Sequence, residues 1–198
     1  KNHFVQELQD EIKDPKALLI EGLKELGKDP DPSKVTIRYA SRGTTEVSKK
    51  IAEWMKQTWE ETLGINVEIN MMEWNIMWDK IDEGDYDIAT AGWGPYYNEP
   101  SALLQLFDPD NGYFNSKKTG WTDDSSKEFQ NLLNEAKYEV DDQKKADIYL
   151  QAETLLVKTA LIEPTYVEKS PTFVKDYVKN YFVSTNGQVD FSQVYIEK

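Results

Sequence analysis

A chain of 198 residues with 39% apolar and 12% aromatic side chains can bury one sizeable core, or one domain with extensions, and should fold rather than stay disordered. Its formal net charge of -13 argues against a nucleic-acid partner, because phosphate is held by Lys and Arg. The lack of cysteine excludes disulfides, thiolate metal sites and a cysteine nucleophile.

No apolar run reaches the roughly 18 residues that a membrane helix needs, and no signal-peptide pattern is visible. The first residue is Lys1 rather than Met, so a processed or excised chain is expected. Residues 1–13 are polar and predict a frayed helix. Asp14 and Pro15 form an N-cap and first-turn pair. Ala17, Leu18, Leu19, Gly22, Leu23 and Leu26 then recur at helical spacing, with Gly27 as the stop. KDPDPSK is a turn-rich connector.

Residues 35–40 (VTIRYA) alternate as a strand. Ser41, Arg42, Gly43 and Thr44 make a loop, and Thr44 or Thr45 caps a helix running to about Leu63. Val47, Ile51, Trp54 and Thr58 share one face of it, Trp54 and Trp59 are expected in the core, and Gly64 ends it. Residues 65–71 (INVEINM) alternate again. A short helix over 74–81 should turn Ile76, Met77 and Ile81 inward. Residues 88–91 read as a third, buried strand.

Gly92, Trp93, Gly94, Pro95, Tyr96, Tyr97, Asn98, Glu99 and Pro100 follow in one turn-rich segment. Glycine permits unusual backbone angles and proline fixes φ, so a shaped loop is expected. An indole between two glycines at a strand end suits a ligand wall. Strand-helix-strand-helix-strand at these lengths predicts a parallel α/β sheet with right-handed crossovers. In such sheets the ligand crevice lies outside the carboxyl ends of the strands. Residues 41–45 and 92–98 both sit at such ends.

Residues 101–107 read as a short helix and 108–124 as a long polar loop. Asp108, Pro109, Asp110, Asn111 and Gly112 superficially resemble a calcium loop. The glycine stands one place too early and the twelfth position is Thr119, so a proline-initiated turn is expected. Ser125 or Ser126 caps a helix to about Val140, and Asp141 or Asp142 caps another to about Thr159. Residues 161–167 are strand-like but broken by Pro164, as in an edge strand or linker. The tail offers short pieces at 173–174, 177–178, 181–183 and 194–196, with a turn at Asn186 and Gly187.

No catalytic constellation emerges. The only histidine is His3, which leaves no partner for a serine nucleophile and no His-rich zinc site. Glu53, Glu60, Glu61, Glu68 and Glu73 read as solvated surface, and Glu99 is the one carboxylate beside the loop. No phosphate cradle, metal site or cofactor motif is present. Binding remains: exposed backbone groups with aromatic walls can hold an extended peptide.

The ordered set YDIA-AGW-YNEP, the strand-helix-strand run over 35–72, the helix over 144–157 and the IEPTY return resembles the C-terminal lobe of oligopeptide-binding proteins. These are the family 5 extracellular solute-binding proteins, the substrate-binding subunits of peptide ABC importers. The resemblance runs from about Leu18 to the C-terminus. It implies a periplasmic-binding-protein-like lobe of the class II type, α/β, with a mixed, mainly parallel sheet flanked by helices. It implies three regions: a helical extension over 1–34, part of the ligand-binding lobe over 35–168, and a return segment over 169–198 that would pack on a first lobe absent from this chain.

The implied partners are an oligopeptide, the importer's permease subunits and that missing lobe, without catalysis or cofactor. The implied location is extracytoplasmic, as a surface lipoprotein or in the periplasm. The implied ligand contacts are Arg42, Gly43, Trp93, Gly94, Tyr96, Tyr97 and Asn98. Many members carry an aspartate where this chain has Tyr96, and it pairs with the peptide's amino terminus; a tyrosine offers a hydrogen bond but no full charge. Thr90 likewise stands where some members have a basic residue. A peptide-pheromone sensor using the same lobe is a second reading, and a carboxylate-dependent hydrolase domain a remote third.

Overall fold

The computed structural model describes residues 4–167, 169, 171–184 and 187–197. The chain divides into two compact units, Lys1–Gly92 and Trp93–Lys198.

The first unit opens with helices α1 (Phe4–Glu11) and α2 (Pro15–Glu25). The Asp14 carboxylate accepts from the Ala17 N–H at 2.9 Å, so the expected cap forms. Strand β1 (Thr36–Arg42), helix α3 (Glu46–Leu63), strand β2 (Asn66–Met72), helix α4 (Trp74–Glu83) and strand β3 (Ile88–Ala89) follow. The strands pair in the order β2-β1-β3, and both pairs are parallel. Thr45 caps α3 by accepting from the Ser48 N–H at 3.1 Å, and Gly64 ends it at φ +75°, a left-handed angle that glycine adopts without strain.

The core of this unit is Tyr39, Ala52, Ile65 and Val67, with Met55, Trp59 and Leu63 packed against it. Trp59 stands edge-on to Tyr39 at 5.1 Å. Trp54, expected inside, is 62% exposed, and Val47 and Ile51 are exposed beside it. Ala52, Met55, Trp59 and Leu63 have the same helical spacing as the Val47 stripe. The small Ala52 lets the helix approach the sheet, which decides between the two faces. Ile76 is also exposed, while Met77 and Ile81, one turn apart, are fully buried.

Strand β1 runs two residues beyond the expected end: Ser41 and Arg42 pair with Met71 and Met72. Strand β3 is shorter than expected, although the Thr90 N–H still donates to the Ala40 carbonyl at 3.0 Å. On β2, the Val67 N–H donates to Glu60 at 2.9 Å and the Val67 carbonyl accepts from Lys56. Two side chains of α3 thus occupy backbone groups that an edge strand would otherwise leave open.

In the second unit, helix α5 (Ser101–Leu104) continues into a 3-10 turn, Gln105–Phe107. Helices α6 (Ser116–Thr119), α7 (Asp124–Tyr138) and α8 (Asp142–Lys158) follow. Asp123, not Ser125 or Ser126, caps α7, accepting from both their N–H groups at 2.9 and 3.3 Å. Of the two expected candidates, Asp141 caps α8. Leu104, Trp121, Phe129, Ala136, Ile148, Tyr149, Ala152 and Leu156 form the core.

Residues 161–167 carry no strand. In the tail β4 (Val178–Lys179) pairs antiparallel with β7 (Tyr195–Ile196), and β5 (Phe182–Val183) with β6 (Val189–Asp190). Of the expected 186–187 turn, Asn186 lies outside the described residues, as does His3; Gly187 has φ +81°.

Candidate ligand-binding site

Arg42 and Gly43 close the carboxyl end of β1. A Cβ on Gly92 would lie 3.2 Å from Arg42 Nη1, so the guanidinium rests against the Gly92 backbone. On its other side the guanidinium carbon lies 4.8 Å from the centre of the Trp74 ring, a cation-π contact. Gly43 adopts φ +84°, and its N–H donates to the Met72 carbonyl at 3.1 Å. The turn after β1 is therefore tied to the end of β2, and Arg42 reaches the segment that leaves β3.

Thr90 is occupied from below: its hydroxyl lies 2.6 Å from that of Tyr39, which is 1% exposed. At the far end of β3, Arg38 donates to Asp85 at 2.5 Å and to Asp87 at 3.2 Å, and Lys80 donates to Asp85 at 2.8 Å. Hydrogen bonds from Lys80 and then Arg38 hold the Asp85 carboxyl below the usual carboxylate range, and Arg38 does the same for Asp87. This cluster fixes the turn between α4 and β3.

The second unit begins with Trp93, whose ring is half-buried. Tyr113 lies 5.2 Å from it, Phe114 6.0 Å and Tyr96 6.5 Å, the last two nearly perpendicular. Gly94 and Asn98 are exposed, and Tyr96 is 65% exposed. The Tyr97 hydroxyl lies 3.2 Å from the Ser101 hydroxyl.

Glu99 faces inward to α8. It accepts from the Tyr149 hydroxyl at 2.9 Å and lies 3.7 Å from the Lys145 ammonium. Burial pushes the Tyr149 phenol above its ordinary range. Glu99 thus anchors the loop's end, and no side chain caps α5.

The structure brings Trp93 and Tyr96 together in one aromatic corner and leaves Gly94, Tyr97 and Asn98 on the surface of the same loop. Arg42 and Gly43 belong to the first unit. The sequence reading missed the contributions of Trp74, Tyr113 and Phe114, which are ordinary aromatics at their own positions. The arrangement offers flat apolar surface, hydrogen-bonding side chains and turn backbone. Among the described residues no group of three or more His, Cys, Asp or Glu could hold a metal ion. No helix of these residues is long and apolar enough to cross a membrane.

A sequence model of the bacterial extracellular solute-binding proteins, family 5 (middle region), matches residues 5–115. The oligopeptide-binding protein OppA of Bacillus subtilis is 32% identical over 190 residues, which are 95% of this chain and 33% of that protein. The structure of Haemophilus influenzae OppA in complex with the peptide RPPGFSPFR superposes with a TM-score of 0.71 at 26% identity, covering 90% of this chain and 34% of that one. Listeria monocytogenes OppA bound to peptide gives 0.69 at 26% identity, covering 92% and 33%. The chain spans about a third of the length of these relatives. The α/β fold is periplasmic-binding-protein-like.

Proposed function

The chain belongs to the family 5 bacterial extracellular solute-binding proteins, and on that premise we propose that it is the C-terminal ligand-binding part of an extracytoplasmic protein that captures oligopeptides for an ABC importer and performs no chemistry. The observation that carries this reading is the loop that follows β3. It presents a half-buried Trp93, an exposed Tyr96 and an exposed Asn98 on a segment whose end is anchored through Glu99. Flat apolar rings with a side-chain amide suit a ligand recognised by its main chain.

In this proposal Trp93, Gly94, Tyr96, Tyr97 and Asn98 contact the ligand, as do Arg42 and Gly43. Residues 1–34 are a helical extension, 35–168 are part of the lobe, and 169–198 return to a first lobe. The exposure of Phe173, Phe182, Phe191 and Tyr195 supports the last assignment: a tail with so many apolar rings in solvent fits a missing partner. Lobe closure on the peptide, and delivery to the permease subunits, would need that partner. Either a lipid anchor or a periplasmic location satisfies the extracytoplasmic reading.

Calorimetry with a mixed peptide pool tests the proposal. The chain alone should bind weakly, and a version carrying the first lobe tightly. Tight binding by the chain alone, or none by the two-lobed version, contradicts it.

A further inference from the structure

Beyond Trp93 the loop packs loosely. A Cβ on Gly94 would meet nothing within 4 Å, and Tyr96 beyond it is mostly in solvent. The ring also packs against the turn over 108–115, through Tyr113 at 5.2 Å and Phe114 at 6.0 Å.

This turn is tightly built. Asp108 Oδ1 accepts from the N–H groups of Asp110 at 2.9 Å and Asn111 at 2.8 Å. The Gly112 N–H donates to the Asp108 carbonyl at 2.9 Å, and the Phe114 N–H to the Leu106 carbonyl at 2.7 Å. Gln130 on α7 donates to Asp110 at 2.8 Å, which ties the turn to a core helix. A methyl group at position 112 would lie 2.5 Å from the Leu106 carbonyl oxygen and 2.6 Å from the Asp108 nitrogen, so only glycine fits. The turn carries its two rings to the indole. Phe114 stacks on Phe107 at 5.3 Å and meets Trp93 edge-on; Tyr113 tilts against Trp93 at 45° and holds the Lys118 ammonium 3.9 Å from its ring centre.

We infer that Tyr113, Phe114 and Gly112 are positioning residues for Trp93: the turn over 108–115 holds the indole in its binding orientation before any ligand arrives. The benefit for the proposed peptide site, on which this inference rests, is a wall that loses little freedom on binding. Aromatic pairs contribute about 0.5–1.5 kcal/mol beyond simple burial, so removing Tyr113 should weaken peptide binding by up to about tenfold.

The test follows the Trp93 indole N–H by 15N NMR, assigned with Trp93→Phe. Without ligand, Tyr113→Ala should move that signal while the backbone signals of α7, α8 and the first unit stay in place; Tyr113→Phe should leave it where it is. Gly112→Ala should move it as Tyr113→Ala does. An unmoved signal in a folded Tyr113→Ala protein, or an equal displacement in Tyr113→Phe, overturns the inference. Tetra-alanine at millimolar concentration is then titrated into the unaltered chain and Tyr113→Ala. Weaker binding in the variant supports the positioning role, and equal binding overturns it. No response in either protein agrees with the weak binding expected of the chain without the first lobe, and the ligand-free spectra then decide whether the turn orients Trp93.

Discussion

Trp54 and Trp59 stand five residues apart on α3 and meet opposite surroundings. Trp59 packs against the buried Tyr39, whereas Trp54 projects into solvent. Trp59→Ala should cost about 3 kcal/mol, as truncation of a packed aromatic does. Trp54→Gln should change stability by no more than about 0.5 kcal/mol. Urea unfolding of the two variants checks the pair; equal losses would mean that α3 presents a different face to the sheet. The same pair marks a limit of sequence reading. Two stripes of equal helical spacing run along α3, and only the approach of Ala52 to the sheet distinguishes them. Glu99 shows a second limit. Its place beside the loop gives no sign of its partners Tyr149 and Lys145, which lie some fifty residues on, because that contact exists only after folding.

The parallel pairing of the strands and the loop after β3 were legible from the alternation of 35–40 and 65–71 and from the punctuation by Gly64 and Gly92, whereas the order β2-β1-β3 was not. The start of α2 was legible because Asp14 stands directly before Pro15, while for α8 the sequence left Asp141 and Asp142 open and the structure uses Asp141. For α7 the sequence pointed to Ser125 or Ser126 and missed Asp123, whose carboxylate accepts two N–H bonds at once. Asp141→Ala should therefore destabilise the second unit by about 1 kcal/mol, read as a lower urea midpoint with an unchanged slope. An unchanged midpoint would mean that the cap is not used. The tail was least legible, because strands of two residues have no periodicity to read.

For the molecule as a whole, the Arg38, Asp85, Asp87 and Lys80 cluster is one of several places where pH acts. Asp85 and Asp87 titrate lower when folded than when unfolded, so the unfolded chain binds more protons as the solution is acidified. Their contribution is complete above the ordinary carboxylate pKa of about 4 and is lost as pH falls through the folded values. Thermal unfolding between neutral and acid pH should show this loss, and Arg38→Gln should make it smaller. An identical acid profile in the variant would contradict the assignment.

The central proposal is that the loop after β3 meets the ligand, and that Arg42 and Gly43 do so independently. Photo-cross-linking with peptides carrying benzoylphenylalanine, mapped by mass spectrometry, tests it most directly. Label should concentrate on 93–98, with 42–43 as the second site, and fall when unlabelled peptide competes. Label spread over α7 and α8, or label that ignores competitor, would contradict the account.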